Sequence, residues 1–151
     1  MKKIIINNAD EMIELGKKLA QQVHSGDVLL LDGDLGAGKT TFTKGLALGL
    51  GITRNIKSPT FTLIREYKDG QLPLYHMDMY RLEDTGAGDI GLDDYFNGDG
   101  VCVIEWSQFI DDELPSQYLV MHILKDENDF DKRYVTLEAR GNQYQNIINN
   151  L

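Results

Sequence analysis

Residues 33–40 read Gly33-Asp34-Leu35-Gly36-Ala37-Gly38-Lys39-Thr40, shortly after the apolar run Val28-Leu29-Leu30-Leu31. This stretch fits the pattern G-x-x-x-x-G-K-[ST] at every fixed position, in the strand-loop-helix setting that the pattern requires. Its glycines let the backbone curl so that several N–H groups point at a polyphosphate, and the following helix adds its positive dipole end. The pattern predicts that Lys39 contacts the terminal phosphates and that Thr40 carries a hydroxyl for Mg²⁺, with Thr41 near the inner phosphates. A chance glycine-rich turn is disfavoured because the motif and its setting agree independently.

Size and charge limit the classes of protein that fit this chain. Its 151 residues, 42% of them hydrophobic, are the size of one domain and enough to bury one core. We therefore expect residues 1–151 to form a single domain. The formal net charge of −9 argues against a protein that holds nucleic acid by itself, because such binding depends on Lys and Arg neutralising phosphates. Any link to RNA is expected to run through a partner.

The single cysteine and the hydropathy pattern point to a location inside the cell. Cys102 lies in the apolar run Val101-Cys102-Val103-Ile104, which predicts a buried, unreactive thiol and excludes disulfides within the chain. The apolar stretch near Met1 is too short for a signal peptide, and no later run approaches membrane-spanning length. The expected localisation is cytoplasmic.

Apolar periodicity predicts the order of the elements. A strand over 3–7 is followed by Asn8 and Glu11 in capping-box spacing, which opens a helix. The strand before the glycine-rich loop leads to a second helix that ends at Gly51. Extended runs over 61–68 and 72–82 flank Lys68-Asp69-Gly70, a tight hairpin turn with positive φ, and further strands cover 101–106, 118–124 and 133–139. Tyr144, Ile147, Ile148 and Leu151 form one side of a final helix.

This order predicts an α/β fold, a three-layer domain of the P-loop NTPase type. Its sheet is expected to mix parallel and antiparallel strands, because hairpins stand where an all-parallel sheet needs crossover helices. Ligands bind such sheets outside the carboxyl ends of the strands, where the glycine-rich loop is placed.

Two acidic residues at strand ends are candidates for a metal or an attacking water. Glu105 ends the apolar strand 101–105, a pattern typical of a carboxylate delivered to Mg²⁺, although an ordinary polar strand end is the alternative. Asp78 shares one face of its strand with His76 and Tyr80 by period-two alternation. That polar row either faces water or lines a site, and its pattern does not decide between the two.

Other polar positions are less informative. The segment 57–62 stands where phosphate-loop proteins keep a hydroxyl-bearing mobile segment, but a turn set by Ser58-Pro59 explains it as well. His24 and His122 lack metal-ligand spacing and are expected to be structural. Trp106, beside Glu105, is expected near the nucleotide or a partner.

Four stretches carry a resemblance to a known family. They are residues 33–41, 57–63, 75–82 and Ile104-Glu105-Trp106. Through them the chain resembles the TsaE family, also called YjeE, from about residue 8 to Pro115. The resemblance implies an ATPase that acts with the TsaD and TsaB proteins. It further implies that those partners attach the threonylcarbamoyl group to adenosine 37 of tRNAs that read codons beginning with A, and that this chain does not perform the transfer itself.

The resemblance also assigns roles to residues of this chain. It implies catalytic roles for Lys39, Asp78 and Glu105, and Mg²⁺ ligation by Thr40, Glu105 and Asp78. It places Asn8 to Asp10 near the nucleotide. The implied ATP-binding residues are Gly33, Asp34, Leu35, Gly36, Ala37, Gly38, Lys39, Thr40, Thr41, Thr60, Thr62 and Arg133. One departure is the stretch 84–89, where Gly86 and Gly88 weaken the helix expected in this family by about 1 kcal/mol each.

The expected reaction is Mg²⁺-assisted hydrolysis of ATP by in-line attack of water. No obvious arginine finger is present, so hydrolysis is expected to be slow without partners. A small-molecule kinase is the competing enzyme class, but the five arginines form no lid-like cluster. A third class is a nucleotide-dependent interaction module with little turnover. The guanine-reading motif Asn-Lys-x-Asp is absent, which favours ATP over GTP.

Overall fold

The computed structural model describes residues 1–34, 36–59, 63–80 and 91–151. Within these ranges the strands are β1 (Lys2–Ile6), β2 (Val28–Gly33), β3 (Ile64–Tyr67), β4 (Leu74–Asp78), β5 (Val101–Glu105), β6 (Tyr118–Lys125) and β7 (Arg133–Arg140). The helices are α1 (Ala9–Ala20), α2 (Lys39–Gly49), α3 (Leu92–Phe96) and α4 (Asn142–Asn149), and a 3₁₀ segment covers Ser107–Glu113.

The described strands form one seven-stranded sheet in the order β1-β7-β6-β2-β5-β4-β3. Its centre is parallel: β2 pairs with β6 and β5, and β5 pairs with β4. Antiparallel strands flank this centre, with β7 and β1 on one side and β3 on the other. The predicted mixed α/β sheet is confirmed. All four parallel strands end at the same edge of the sheet, which collects the side chains that follow them.

The two faces of the sheet are covered differently. Side chains of α1, α2 and α4 join Leu29 and Leu31 of β2 in the larger apolar cluster. On the opposite face, α3 and the 3₁₀ segment cover Val28 and Leu30 with a smaller cluster. No helix in the described ranges has the length and the apolar run that a bilayer crossing requires.

Close contact between α1 and α2 sets the position of the phosphate-loop helix. A Cβ atom on Gly45 would lie 2.2 Å from the carbonyl oxygen of Ile13, and one on Gly16 would lie 2.5 Å from that of Phe42. Both distances are far below van der Waals contact, so only glycine allows the two helices to approach this closely. Backbone packing between Gly16 and Gly45 therefore sets how closely α2 lies against α1.

The beginning of α1 follows the prediction with one difference. The Asn8 side chain accepts a hydrogen bond of 2.9 Å from the Glu11 backbone N–H, as a helix N-cap does. Glu11 accepts from the backbone N–H of Asn7 instead of that of Asn8. The helix ends at Ala20, before the predicted break at 25–27, yet Val23 is still buried.

The predicted tight turn between β3 and β4 is wrong. The two strands pair antiparallel, with Ile64 opposite Met77, but residues 68–73 connect them in a longer loop. Gly70 is not among the described residues with positive φ. Its Cβ would lie 2.5 Å from the carbonyl oxygen of Leu50, so glycine is required by close backbone approach. The predicted strand residues 61–62 and 81–82 lie outside the described ranges.

The buried cysteine behaves as predicted. None of Cys102 is exposed to solvent, and burial raises the pKa of its thiol to about 12. The thiol therefore stays protonated at neutral pH, which is the unreactive form.

Candidate functional site

The glycine-rich loop joins β2 to α2 as the sequence predicts. Gly36 and Gly38 have φ values of +77° and +116°, a left-handed conformation that favours glycine. Between them, the backbone N–H of Ala37 donates to the carbonyl oxygen of Asp34 at 3.0 Å. The first N–H groups of α2 have no partners within the helix, so they are available to an anion at its N-terminus. Leu35 lies outside the described residues.

A cleft of about 560 Å³ opens beside this loop. Its lining combines the loop and the first turn of α2 with Ser58 and with residues at and just after the ends of β4 and β5. The lining residues are Gly36, Gly38, Lys39, Thr40, Thr41, Ser58, Asp78, Tyr80, Glu105 and Trp106. The cleft therefore brings together both predicted acidic residues and the predicted phosphate-binding lysine.

Lys39 lies at the floor of the cleft with two contacts. Its Nζ atom is 3.6 Å from Oε1 of Glu105 and 5.0 Å from the centre of the Trp106 ring. Lys39 and Glu105 are both buried. Because a buried charge without a partner is costly, each stabilises the other. A phosphate that enters the cleft would compete with Glu105 for the lysine ammonium group.

Asp78 and Glu105 lie side by side at the ends of two parallel strands. They are directly opposite each other in the pairing of β4 with β5, and both carboxylates are almost completely buried. Asp78 also accepts a hydrogen bond of 3.0 Å from the backbone N–H of Tyr80. Of the predicted polar row, Asp78 and Tyr80 line the cleft, whereas His76 is completely buried and does not line it.

His76 is a contact of the site that the sequence analysis did not assign. Its Nε2 atom lies 2.7 Å from Oε2 of Glu105, and the histidine is completely buried. The alternation that places His76 on the same face as Asp78 is visible in the sequence. Its contact with Glu105 depends on the pairing of β4 with β5, which the sequence does not reveal.

The oxygen donors around the cleft suit Mg²⁺. Thr40 offers a hydroxyl, and Asp78 and Glu105 offer carboxylates. Mg²⁺ prefers oxygen ligands and is usually held by one or two carboxylates together with substrate phosphates and water. Within the described ranges, no group of three or more His, Cys, Asp or Glu residues is arranged to hold a metal ion by itself.

Arg133 contacts the phosphate loop from outside the cleft. Its Nε atom donates to the carbonyl oxygen of Ala37 at 2.8 Å, and Nη2 donates to that of Gly36 at 3.3 Å. The side chain therefore supports the loop backbone. Lys125, which the sequence analysis did not assign to the site, lies opposite Arg133 in the pairing of β6 with β7. Its Nζ atom is also close to the loop, 3.5 Å from the position that a Cβ on Gly36 would occupy.

A second hollow of about 300 Å³ lies on this outer side of the loop. Asn8 and Ala9 line it together with the loop, Phe130 and Arg133. The N-terminal segment that the resemblance places near the nucleotide is thus adjacent to the loop. Gly33, Asp34 and Asp10 line neither hollow.

An aromatic group closes one side of the main cleft. The ring centres of Tyr80 and Trp106 are 5.0 Å apart, and those of Trp106 and Phe109 are 6.3 Å apart. Trp106 has a φ of +59°, which turns the chain sharply after Glu105 and ends β5 one residue before the predicted boundary. This turn places the indole over Lys39.

Several predicted positions lie elsewhere. Thr60, Thr62 and the stretch 84–89 are outside the described residues, whereas Ser58 of the same predicted segment lines the cleft. The two histidines that were expected to be structural do not line the cleft. The His24 side chain is largely exposed, and His122 lies between Asp32 and Glu138 on β2 and β7.

Comparisons with known proteins agree on one family. A family model described as "Threonylcarbamoyl adenosine biosynthesis protein TsaE" matches residues 6–135. A Bacillus subtilis protein named "tRNA threonylcarbamoyladenosine biosynthesis protein TsaE" is 53% identical over 95% of this chain and 89% of its own length. A Haemophilus influenzae protein of the same name is 42% identical over 91% of this chain and 89% of its own length. The crystal structure of Bacillus subtilis YdiB superposes with a TM-score of 0.86 at 47% identity, covering 98% of this chain and 91% of that one.

Proposed function

This chain belongs to the TsaE family of threonylcarbamoyl adenosine biosynthesis proteins, and we propose that it serves this tRNA modification as an Mg²⁺-dependent ATPase. Its proposed partners are the TsaD and TsaB proteins, which transfer the threonylcarbamoyl group to adenosine 37. The proposed location is the cytoplasm.

One observation carries this proposal. Lys39, at the end of the phosphate loop, faces Glu105, at the end of the neighbouring parallel strand, across a cleft that also contains Thr40 and Asp78. The loop amides and a lysine suit the phosphates of a nucleotide, and the hydroxyl and carboxylates suit the cation that accompanies them.

In the proposed reaction, different residues bind the phosphates, hold Mg²⁺ and orient the attacking water. Lys39 and the N–H groups at the start of α2 hold the phosphates and stabilise the charge that develops on the terminal one. Thr40, Asp78 and Glu105 would hold Mg²⁺, which supplies further neutralisation of that charge when bound. A carboxylate of Asp78 or Glu105 orients the water for in-line attack.

Dependence on partners is proposed from the part of the cleft lining that the structure describes. No arginine is among the described residues that line it. An arginine supplied by a partner is worth about 10³–10⁵ in rate in related phosphoryl transfer. Together with the net charge of −9, which opposes direct tRNA binding, this supports an ATPase that works within a complex.

The test follows the labelled terminal phosphate of ATP with the chain alone and with TsaD and TsaB. We expect free phosphate, released faster with the partners present. Transfer of the label to a small molecule would support a kinase instead, and unchanged ATP in both conditions would support an interaction module. Equal release rates with and without the partners would contradict activation by the complex.

A further inference from the structure

His76 is a buried polar side chain directly beneath the cleft. It has no exposed surface, and it does not line the cleft. Its Nε2 atom contacts Glu105, whereas its Nδ1 atom has no hydrogen-bond partner among the residues that the structure describes. An apolar side chain would fill this position without burying an unpaired polar atom. The contribution specific to histidine here is therefore its contact with Glu105.

The strand register places His76 behind the carboxylate. In the parallel pairing of β4 with β5, Asp78 lies opposite Glu105 and His76 lies opposite Val103. Alternate residues of a strand point to the same face, so His76 and Asp78 lie on the same side of the sheet. His76 is two residues before Asp78 on β4, and it contacts Glu105 on the neighbouring strand across this diagonal. Strand β4 thus places Asp78 in the cleft and His76 against Glu105, on the side of that carboxylate away from the cleft.

The two oxygens of Glu105 have different partners. Oε1 lies 3.6 Å from Nζ of Lys39, and Oε2 lies 2.7 Å from Nε2 of His76. A carboxylate only accepts hydrogen bonds, so the ring must donate through an Nε2–H group. In the neutral ring this leaves Nδ1 unprotonated, a form that needs no acceptor at that nitrogen.

We infer that His76 is a positioning residue for Glu105, which it keeps aimed at the cleft when Lys39 exchanges this carboxylate for phosphate. The inference rests on the proposed function, because it concerns the orientation of a proposed Mg²⁺ ligand. His76 itself does not reach the cleft. Removing a side chain that supports a metal ligand from behind typically costs about 10–100-fold in metal affinity or activity.

Two variants of matched shape separate the hydrogen bond from packing. Gln and Met are both unbranched and of similar length, but only the amide of His76→Gln provides an N–H donor near the position of Nε2. His76→Met fills the same space without a donor. Denaturant unfolding of both variants reports any loss of stability that they share.

The measurement is the gain in ATP affinity that Mg²⁺ provides, obtained by calorimetry with Mg²⁺ and with EDTA. We expect the wild type and His76→Gln to show similar gains. We expect His76→Met to lose about tenfold or more of this gain, in line with other supporting contacts of metal ligands, while its affinity in EDTA is unchanged. A purely structural role would lower the stability of His76→Met without reducing the gain.

The outcomes distinguish the inference from the proposed function. Equal gains for His76→Met and His76→Gln, with a normal gain in the wild type, would overturn the positioning role alone. A wild type that binds no ATP, or whose affinity is insensitive to Mg²⁺, would overturn the proposed function and this inference with it.

A second measurement applies even if His76→Met does not fold. Nitrogen NMR of the metal-free and nucleotide-free wild type identifies the protonated ring nitrogen of each of the three histidines. The His76 signals are assigned by their absence in His76→Gln. We expect protonation at Nε2. An unprotonated Nε2 would overturn the inference, because such a nitrogen cannot donate to Glu105.

Discussion

Lys39, Glu105 and His76 form a continuous series of contacts beneath the cleft, and all three side chains are largely hidden from solvent. A buried charge that loses its partner destabilises a protein by about 3–5 kcal/mol. Entry of a nucleotide therefore has to exchange partners instead of removing them. In the proposed mechanism, phosphate would replace Glu105 beside the lysine, and the carboxylate would turn to the accompanying cation.

Replacing Lys39 tests whether its ammonium group binds the phosphates. We expect Lys39→Ala to lower the rate of phosphate release by about 10²–10³, the usual effect of removing one donor that stabilises transition-state charge. Lys44→Ala is the matched control, because Lys44 lies on the same helix but is exposed. Similar rates for the two variants would contradict the proposed role of Lys39.

Cys102 provides a probe of burial. Because burial raises the pKa of this thiol to about 12, we expect no alkylation by iodoacetamide at pH 8 while the chain is folded. In denaturant, one thiol per chain should react. Mass spectrometry measures both, and rapid modification of the folded chain would contradict the packing of β5.

We expect His122 to make the free energy of unfolding depend on pH. Burial alone would lower the pKa of His122, but hydrogen bonds to Glu138 and Asp32 outweigh this effect and raise it. A raised folded-state pKa stabilises the fold fully below the ordinary value of 6.5, and this contribution disappears as the pH rises through the folded-state pKa. We therefore expect His122→Gln to reduce the free energy of unfolding more at pH 5.5 than at pH 8.5. Equal losses at both values, measured by denaturant unfolding, would contradict this account.

The residues of the cleft differ in how well their position in the site could be predicted from the sequence. Lys39 and Thr40 are recognisable because their motif has fixed spacing and a fixed setting. Glu105 is a candidate because it ends an apolar run, whereas Asp78 could equally have faced water. The support of Glu105 by His76 was not predictable, because it depends on which strands are neighbours and in which register.

Among the elements, α1 and α2 pack so closely that glycine is required where they meet. Helix propensity predicts that Gly45→Ala stabilises α2 by about 1 kcal/mol. The new Cβ would lie 2.2 Å from the Ile13 carbonyl oxygen, and such overpacking costs about 1–3 kcal/mol or more. We expect the steric cost to exceed the gain, so that Gly45→Ala lowers the midpoint of denaturant unfolding.

The control for this prediction is Leu48→Ala on the same helix, at an exposed position. We expect it to change the free energy of unfolding by no more than about 0.5 kcal/mol, as surface substitutions usually do. A Gly45→Ala variant that is more stable than the wild type would show that α1 and α2 are not packed this tightly.

Elements with a clear apolar pattern were predictable, including the five-residue strands β1 and β5, whereas the short helical segments were not. The stripe of α1 and the apolar run of β2 are visible in the sequence because burial repeats over several turns or residues. The five-residue helix α3 and the 3₁₀ segment after Trp106 are too short to show a period. The Asp69-Gly70 pair is typical of a tight turn with positive φ, but here glycine is needed because the backbone passes close to the carbonyl oxygen of Leu50.

At the scale of the whole molecule, the sheet order creates the site. The neighbours of β2 are β6 and β5, which come from distant parts of the sequence. Local patterns predict that these strands exist, but their order depends on which faces pack together. The result is that the loop after β2 lies beside the ends of β5 and β4, where Glu105 and Asp78 are.

We propose that residues 33–41 bind the phosphates of ATP, with a cation held opposite by Glu105 and Asp78. Calorimetric titration of ATP into the 151-residue chain, with Mg²⁺ and with EDTA, measures this binding. We expect saturable binding of one ATP per chain that becomes tighter with Mg²⁺. A folded chain that shows no saturable heat with ATP in either condition would contradict the account.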